Sequence, residues 1–224
     1  MSSGFKSFEL EFVNAKSLNE YYIFSFKKPK GLVYKEGQYG IFKHISKKVI
    51  GSNSRAFSFV STVDDKDFRI ATRIIDNPSD FKKQLKNLKI NEKITVEGPY
   101  GDFILDGTKH AVFIAGGIGI TPIISILNSL KSHSFNNDLS LIYSEANKDY
   151  PFGDELKLVN NLKIDFVSGI ADTVFSIEKN IKKYNNSAVY YMAGSPGFIT
   201  GLNELLIKNG IKSENIIYDE FFGY

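Results

Sequence analysis

The chain has 224 residues, 42% apolar and 24% charged, with a net charge of +3 and no cysteine. That balance describes a globular protein with a packed core, and the length suits two compact domains of about 100 residues each. So small a charge gives no reason to expect nucleic acid or an anionic membrane as partner, and the lack of cysteine excludes disulfides, thiolate zinc sites, cysteine-held iron–sulfur clusters and a cysteine nucleophile.

The first hundred residues read as short strands rich in aromatic and β-branched residues. Phe5 to Val13 alternates, with Phe8, Leu10 and Phe12 on one face. Tyr21 to Phe26, Tyr39 to Lys43, Ala56 to Ser61, Phe68 to Ile75 and Lys93 to Glu97 follow. Turn residues separate them at Pro29-Lys30-Gly31, Gly51-Ser52-Asn53, Asp64-Asp65 and Asn77-Pro78. One helix interrupts the series at Ser79 to Leu88, with Phe81, Leu85 and Leu88 at helical spacing and Ser79 as N-cap. This pattern predicts a small antiparallel barrel or sandwich.

After Gly98-Pro99-Tyr100-Gly101 the pattern changes to alternating strands and helices. Strands are predicted at Ala111 to Ala115, Leu139 to Tyr143, Ile164 to Val167, Ala188 to Met192 and Ile216 to Tyr218. Helices are predicted at Thr121 to Leu130, Gly153 to Val159, near Val174 to Ile181, and at Gly197 to Lys208. Such alternation implies an open parallel sheet with helices on both faces. The change of pattern falls at about residues 102 to 108 and gives two domains, 1–103 and 104–224, without repeats or a flexible linker.

Three features suggest chemistry. Although Lys and Arg total 28, only Arg55, Arg69 and Arg73 are arginines, and all lie in one short stretch. Arginine offers a planar, always charged donor fork suited to phosphate, so the cluster hints at a site. Second, Phe113-Ile114-Ala115-Gly116-Gly117-Ile118-Gly119-Ile120-Thr121-Pro122 joins a strand to a helix. Glycines there permit a sharp turn and close approach of a pyrophosphate to free helix N–H groups. Pro122 suits the first helical turn. Third, Ala193-Gly194-Ser195-Pro196-Gly197 is a similar turn after another strand, and in a doubly wound sheet both turns would face one crevice. The histidines, His44, His110 and His133, are scattered without carboxylates at ligand spacing, so no metal site is expected.

Together these motifs resemble the ferredoxin–NADP reductase-like superfamily over nearly the whole chain. Arg55-Ala56-Phe57-Ser58 is similar to its R-x-Y-S flavin motif, and Gly98-Pro99-Tyr100-Gly101 to its G-P-x-G element. Gly116 to Pro122 is similar to its G-G-x-G-x-x-P fingerprint, and Gly194-Ser195-Pro196-Gly197 to its G-P-P-G segment. The terminal Asp219-Glu220-Phe221-Phe222-Gly223-Tyr224 resembles members with an acidic, aromatic tail ending in tyrosine. The resemblance implies a Greek-key flavin-binding barrel followed by a Rossmann-like nicotinamide dinucleotide domain.

It also implies roles. Arg55 would pair with the flavin phosphate, Phe57 would pack on the isoalloxazine ring, and Ser58 would sit near N5. Ala56, Thr72 and Arg73 would line the flavin. Ser79 and Asp80, at the start of the barrel's helix, would hold a pyrophosphate, which favours FAD over FMN. Gly116, Gly117, Gly119, Thr121, Pro122, Gly194, Ser195 and Pro196 would hold the dinucleotide. Ser144 and Glu145, after the Leu139 strand, would meet its ribose; with no arginine nearby they favour NADH over NADPH. Ser58, Glu220 and Tyr224 would serve catalysis, Tyr224 by covering the flavin ring and moving aside for nicotinamide. Phe57 stands where the family has tyrosine, and Ala193 where many members have cysteine.

The expected activity is hydride transfer between NADH or NADPH and bound FAD, a step that belongs to the cofactors and needs no general base. Electrons would then pass to ferredoxin, another small redox protein, free flavin or ferric iron. The alternatives are an electron-transfer subunit of a larger redox or oxygenase complex, and a non-catalytic flavin sensor. Met-Ser-Ser-Gly-Phe-Lys contains no signal-peptide core, and no apolar run approaches the roughly 18 residues that span a bilayer, so a cytoplasmic monomer is expected.

Overall fold

A computed structural model describes residues 6–45, 47–132 and 135–222. The chain divides into two compact units, Met1–Asp102 and Phe103–Tyr224.

Unit 1 contains β1 (Ser7–Leu18), β2 (Tyr21–Lys27), β3 (Tyr39–His44), β4 (Ser54–Ser58), β5 (Asp67–Arg73), a helix α1 (Asp80–Lys86) and β6 (Lys93–Tyr100). They form one antiparallel sheet in the order β4-β3-β6-β1-β2-β5. A bridge between Phe59, just past β4, and Ile70 of β5 joins its two ends, so the sheet curls into a barrel. Alternation drives this closure: Leu10, Phe24, Phe26, Phe42, Phe59, Phe68, Ile70, Ile94 and Val96 all turn inward and are fully buried. Helix α1 adds Phe81 and Leu85 to the same core. β1 runs five residues beyond its predicted end at Val13. Asn14 to Leu18 has no apolar alternation; pairing with β2 through the turn at Asn19 makes it a strand.

Unit 2 contains β7 (His110–Gly116), α2 (Ile120–Ser129), β8 (Leu139–Ser144), α3 (Gly153–Lys157), β9 (Leu162–Val167), α4 (Ile170–Tyr184), β10 (Ala188–Gly194), α5 (Pro196–Lys208) and β11 (Ile216–Glu220). The five strands are parallel, in the order β11-β10-β7-β8-β9. Helices α4 and α5 share one core with Val112, Ile114, Ile142, Tyr190 and Met192. The chain moves outward from β7 through β8 to β9, then returns to place β10 on the other side of β7. The strand order therefore reverses between β7 and β10. Ligands of open α/β sheets bind at this switch point, outside the carboxyl ends of the strands.

Candidate functional site

In unit 1, strand β4 places Phe57 indoors and Ala56 outdoors, as its pleat requires. The Phe57 ring packs against Phe42 at 5.4 Å and Phe81 at 6.0 Å, so it helps hold α1 to the barrel. Ser58 is buried beside it in sequence, opposite Tyr39 of β3.

The three arginines differ in their partners. Arg69 meets Asp65 at 3.5 Å, and Arg73 meets Glu20 at 2.6 Å. Arg55 donates to the carbonyl oxygens of Ser54 at 2.8 Å and Ser52 at 3.4 Å, and lies 5.8 Å from the Phe81 ring centre. It forms no ion pair among the described residues. Thr72 is buried and donates weakly to the Arg73 carbonyl at 3.4 Å. Ser79 occupies the N-cap position of α1, but its hydroxyl makes no capping bond and is buried without any partner. The Asp80 carboxylate accepts from the Ile50 N–H at 2.8 Å, which ties the loop before β4 to α1.

One residue outside every sequence motif stands among these. Lys82 is buried on α1, and its ammonium donates to the Arg73 carbonyl at 2.9 Å. Burial, then the nearby Arg55 and Arg73 charges, pushes its pKa below the ordinary lysine value. The sequence carries one signal of it: Lys82 lies three residues before Leu85, inside the helix's apolar arc, where a lysine is out of place. A buried ammonium and an orphaned hydroxyl three residues apart at the start of one helix suit the phosphate of a nucleotide cofactor such as FAD.

In unit 2 the glycine turn lies at the switch point. Gly116 ends β7, and Gly117 takes φ +54° to start a short 3-10 turn that runs into α2. Gly119 packs so closely on β10 that a Cβ there would lie 2.1 Å from the Ala193 carbonyl oxygen. Gly116 and Gly194 both lie against the Phe198 ring, which a Cβ would reach at 2.9 Å and 2.7 Å. The Thr121 hydroxyl donates to the Ile118 carbonyl at 3.0 Å, and Pro122 sits in the first turn of α2. Ser195 caps α5 by position alone, with Pro196 at its first turn. Beside Gly197 a Cβ would meet nothing within 4 Å. Two helix N-termini thus lie at the carboxyl end of the sheet with no acidic residue in either first turn, an arrangement that suits a pyrophosphate.

The predicted ribose contacts have partners within unit 2. The Ser144 hydroxyl pairs with Thr173 of α4 at 2.9 Å. Glu145 is buried, its carboxylate accepting from the Asn147 N–H at 3.4 Å. A cavity of about 460 Å³ opens next to them, lined by Lys148, Tyr150, Phe166, Ser168, Asp172 and Phe175 among others. The rings of Tyr150 and Phe166 lie 4.7 Å apart, and the Tyr150 hydroxyl donates to the Val167 carbonyl at 2.9 Å.

At the end of β11, Asp219 lies in register with Ala193 and Glu220 with Gly194. The Phe221 N–H donates to the Gly194 carbonyl at 2.9 Å and pins the tail to the second glycine turn. Burial pushes the Asp219 carboxyl up to about 6. Tyr224, expected to cover the flavin ring face, lies outside the described residues, as does His133. Among the described residues no group of three or more His, Asp or Glu is placed to hold a metal ion, and no helix is long and apolar enough to cross a membrane.

The fold and the glycine turns define an antiparallel barrel followed by a dinucleotide-type α/β unit. No protein-family model matches the chain. Among curated proteins it is 29% identical over 216 residues to a subunit of the Na(+)-translocating NADH-quinone reductase of Psychrobacter cryohalolentis, covering 83% of this chain and 52% of that one. Among solved structures it matches a mutant of ferredoxin-NADP+ reductase from Plasmodium falciparum in complex with 2'P-AMP, with a TM-score of 0.83, 20% identity and 96% of each chain covered. It also matches flavohemoglobin from Malassezia yamatoensis with bound FAD and heme, with a TM-score of 0.78 and 19% identity, over 96% of this chain and 60% of that one. The chain spans about half the length, or less, of the curated relatives it matches, 52% for the quinone reductase polypeptide and 36% for Flavohemoprotein A of Dictyostelium discoideum. Its fold is the one these ferredoxin-NADP+ reductase and flavohemoglobin structures share.

Proposed function

We propose that the chain is a flavoprotein reductase that passes hydride between NAD(P)H, held by unit 2, and FAD, held by unit 1. The observation that carries this reading is the closely packed glycine switch point at Gly116, Gly119 and Gly194, with two helix N-termini beside it. Bound FAD supplies the hydride acceptor and can release electrons one at a time.

The chain's own residues bind and orient. Arg55 and the Ser79 hydroxyl hold the flavin phosphate by charge-assisted hydrogen bonds. Phe57 fixes β4 against α1 and so holds the adjacent Ser58 in place for the flavin ring. The first turns of α2 and α5 receive the dinucleotide pyrophosphate on their N–H groups. Tyr150, Phe166 and Phe175 offer an aromatic seat for the adenine, and Asp172 beside them disfavours a 2′-phosphate. NADH is therefore the preferred donor, with Lys148 as the lining cation that tempers the preference.

The acceptor is a small redox protein such as ferredoxin, free flavin or ferric iron. A second reading, an electron-transfer component of a larger complex, is favoured by the likeness to a quinone reductase subunit over 83% of this chain. The test is optical. Purified chain carries flavin absorbance that bleaches on anaerobic addition of NADH; a colourless chain that cannot be reconstituted with FAD overturns the proposal. Turnover of a soluble acceptor by the chain alone separates the free reductase from the component of a complex.

A further inference from the structure

We propose that Lys82 is a phosphate-anchoring residue of the flavin site, acting with Arg55 and the Ser79 hydroxyl to hold the phosphate ester of the flavin nucleotide. This rests on the flavoprotein reading above and adds a residue outside the family's flavin motif.

Only 9% of Lys82 is exposed, and no carboxylate is paired with it among the described residues. Lysines buried this far are nearly always paired, because an ammonium taken from water without a counter-charge is costly. Of its three N–H donors, one is used, on the Arg73 carbonyl at 2.9 Å. Burial, and then the charges of Arg55 and Arg73, both of its own sign, push its pKa down. Glu20 offsets Arg73 at 2.6 Å. Among the described residues no acid offsets Arg55 or Lys82.

The second observation is independent of charge. Ser79 is the N-cap of α1, three residues before Lys82, and its hydroxyl is buried without a hydrogen-bond partner. Two unneutralised cations and an orphaned hydroxyl call for one anion with several oxygens. A phosphate ester supplies that charge and can accept from all three groups. Helix α1, at seven residues, is too short for its dipole to do this work, so the side chains carry it.

An anchoring cation without a counter-ion has opposite effects in the two states of the protein. With no flavin bound, Lys82 is a liability; with flavin bound, it is paired. A lysine kept for packing would behave alike in both. The experiment uses the full chain freed of flavin, titrated with FAD, FMN and riboflavin by flavin fluorescence, in the wild type, Lys82→Met and Ser79→Ala. Lys82→Met is expected to weaken FAD about 10- to 100-fold, the range for a charge-assisted hydrogen bond, while riboflavin, which has no phosphate, binds as before. Ser79→Ala is expected to shift FAD in the same direction by less. A loss for FMN as large as for FAD assigns the contact to the ring-side phosphate, and a smaller one to the adenosine-side phosphate. Flavin-free Lys82→Met should melt no lower than wild type, and its gain in melting temperature on adding FAD should shrink. Unchanged FAD affinity, equal weakening of riboflavin and FAD, or a lower melting temperature of the flavin-free variant overturns the proposal and leaves the flavin reading standing. Failure of the wild type to bind any of the three flavins overturns both.

Discussion

Replacing Gly119 by alanine puts a methyl carbon 2.1 Å from the Ala193 carbonyl oxygen, 2.5 Å from its carbonyl carbon and 2.8 Å from the Gly194 nitrogen. All three are backbone atoms, so no side chain can swing away. Restoring an ordinary contact of about 3.4 Å requires roughly 1.3 Å of displacement in a packed interior. Ala193 cannot yield easily, because it is paired with Ala115 of β7 on one side and Asp219 of β11 on the other. Overpacking of this kind costs about 1–3 kcal/mol, and the reduced freedom of the unfolded chain returns only about 0.4–1 kcal/mol. Gly119→Ala should therefore lose about 1–2 kcal/mol net, or about 2–8 °C in melting temperature for a chain of this size. Gly201→Ala is the control. Gly201 lies within α5, where a Cβ meets nothing within 4 Å. Alanine there should add about 0.5–1 kcal/mol. Urea and thermal unfolding of both variants, with NADH affinity alongside, make the comparison. If Gly119→Ala unfolds like the wild type and binds dinucleotide as well, the close approach at the switch point is not what shapes the site.

Other consequences follow from individual groups. Burial raises the Asp219 carboxyl from 3.8 to about 6. The folded chain then holds this proton more tightly than the unfolded one, so its contribution to stability is greatest below about pH 4 and falls as the pH rises to about 6. The full shift corresponds to about 3 kcal/mol, less where solvent screens the strand end. Asp219→Asn should match the wild type near pH 4 and exceed it by about 1–2 kcal/mol at pH 7 in urea melts; a pH-independent difference would place the origin elsewhere. Asp172→Asn removes a carboxylate from the cavity beside Tyr150 and should lower the KM for NADPH relative to NADH several-fold, by about 1 kcal/mol; an unchanged ratio would show that the 2′-phosphate lies away from it. Arg55→Ala should cost FAD binding about 1.5–3 kcal/mol by removing a charge-assisted contact, read by flavin loss on dialysis. By contrast, Glu20→Ala frees a pair whose side chains are 35% and 42% exposed, and should change stability by about 0–1 kcal/mol.

Much of the fold was legible in the residues alone, because its signals are local. Alternation in Phe8, Leu10 and Phe12 and the apolar run Ala111 to Ala115 reflect how a side chain must point in a strand, and the glycine turn must follow a strand and precede a helix wherever it occurs. The same locality explains the limits. Asn14 to Leu18 carries no pattern of its own and became strand only through β2. Arg55, Arg69 and Arg73 look alike in sequence, yet folding gave Glu20 to one, Asp65 to another and, among the described residues, no acid to the third. The burial of Glu145 after β8, and the aromatic cavity that Tyr150, Phe166, Asp172 and Phe175 line near it, are not legible in that segment of sequence. Lys82 is one lysine among many until burial on α1 removes it from water. Periodicity and turn chemistry are properties of neighbouring residues, so the barrel, the parallel sheet and the glycine switch point are written into the order of the amino acids. Which charges are paired, which hydroxyl is orphaned and which carboxyl is desolvated depend on residues far apart in the chain, and these were settled only when folding brought them together.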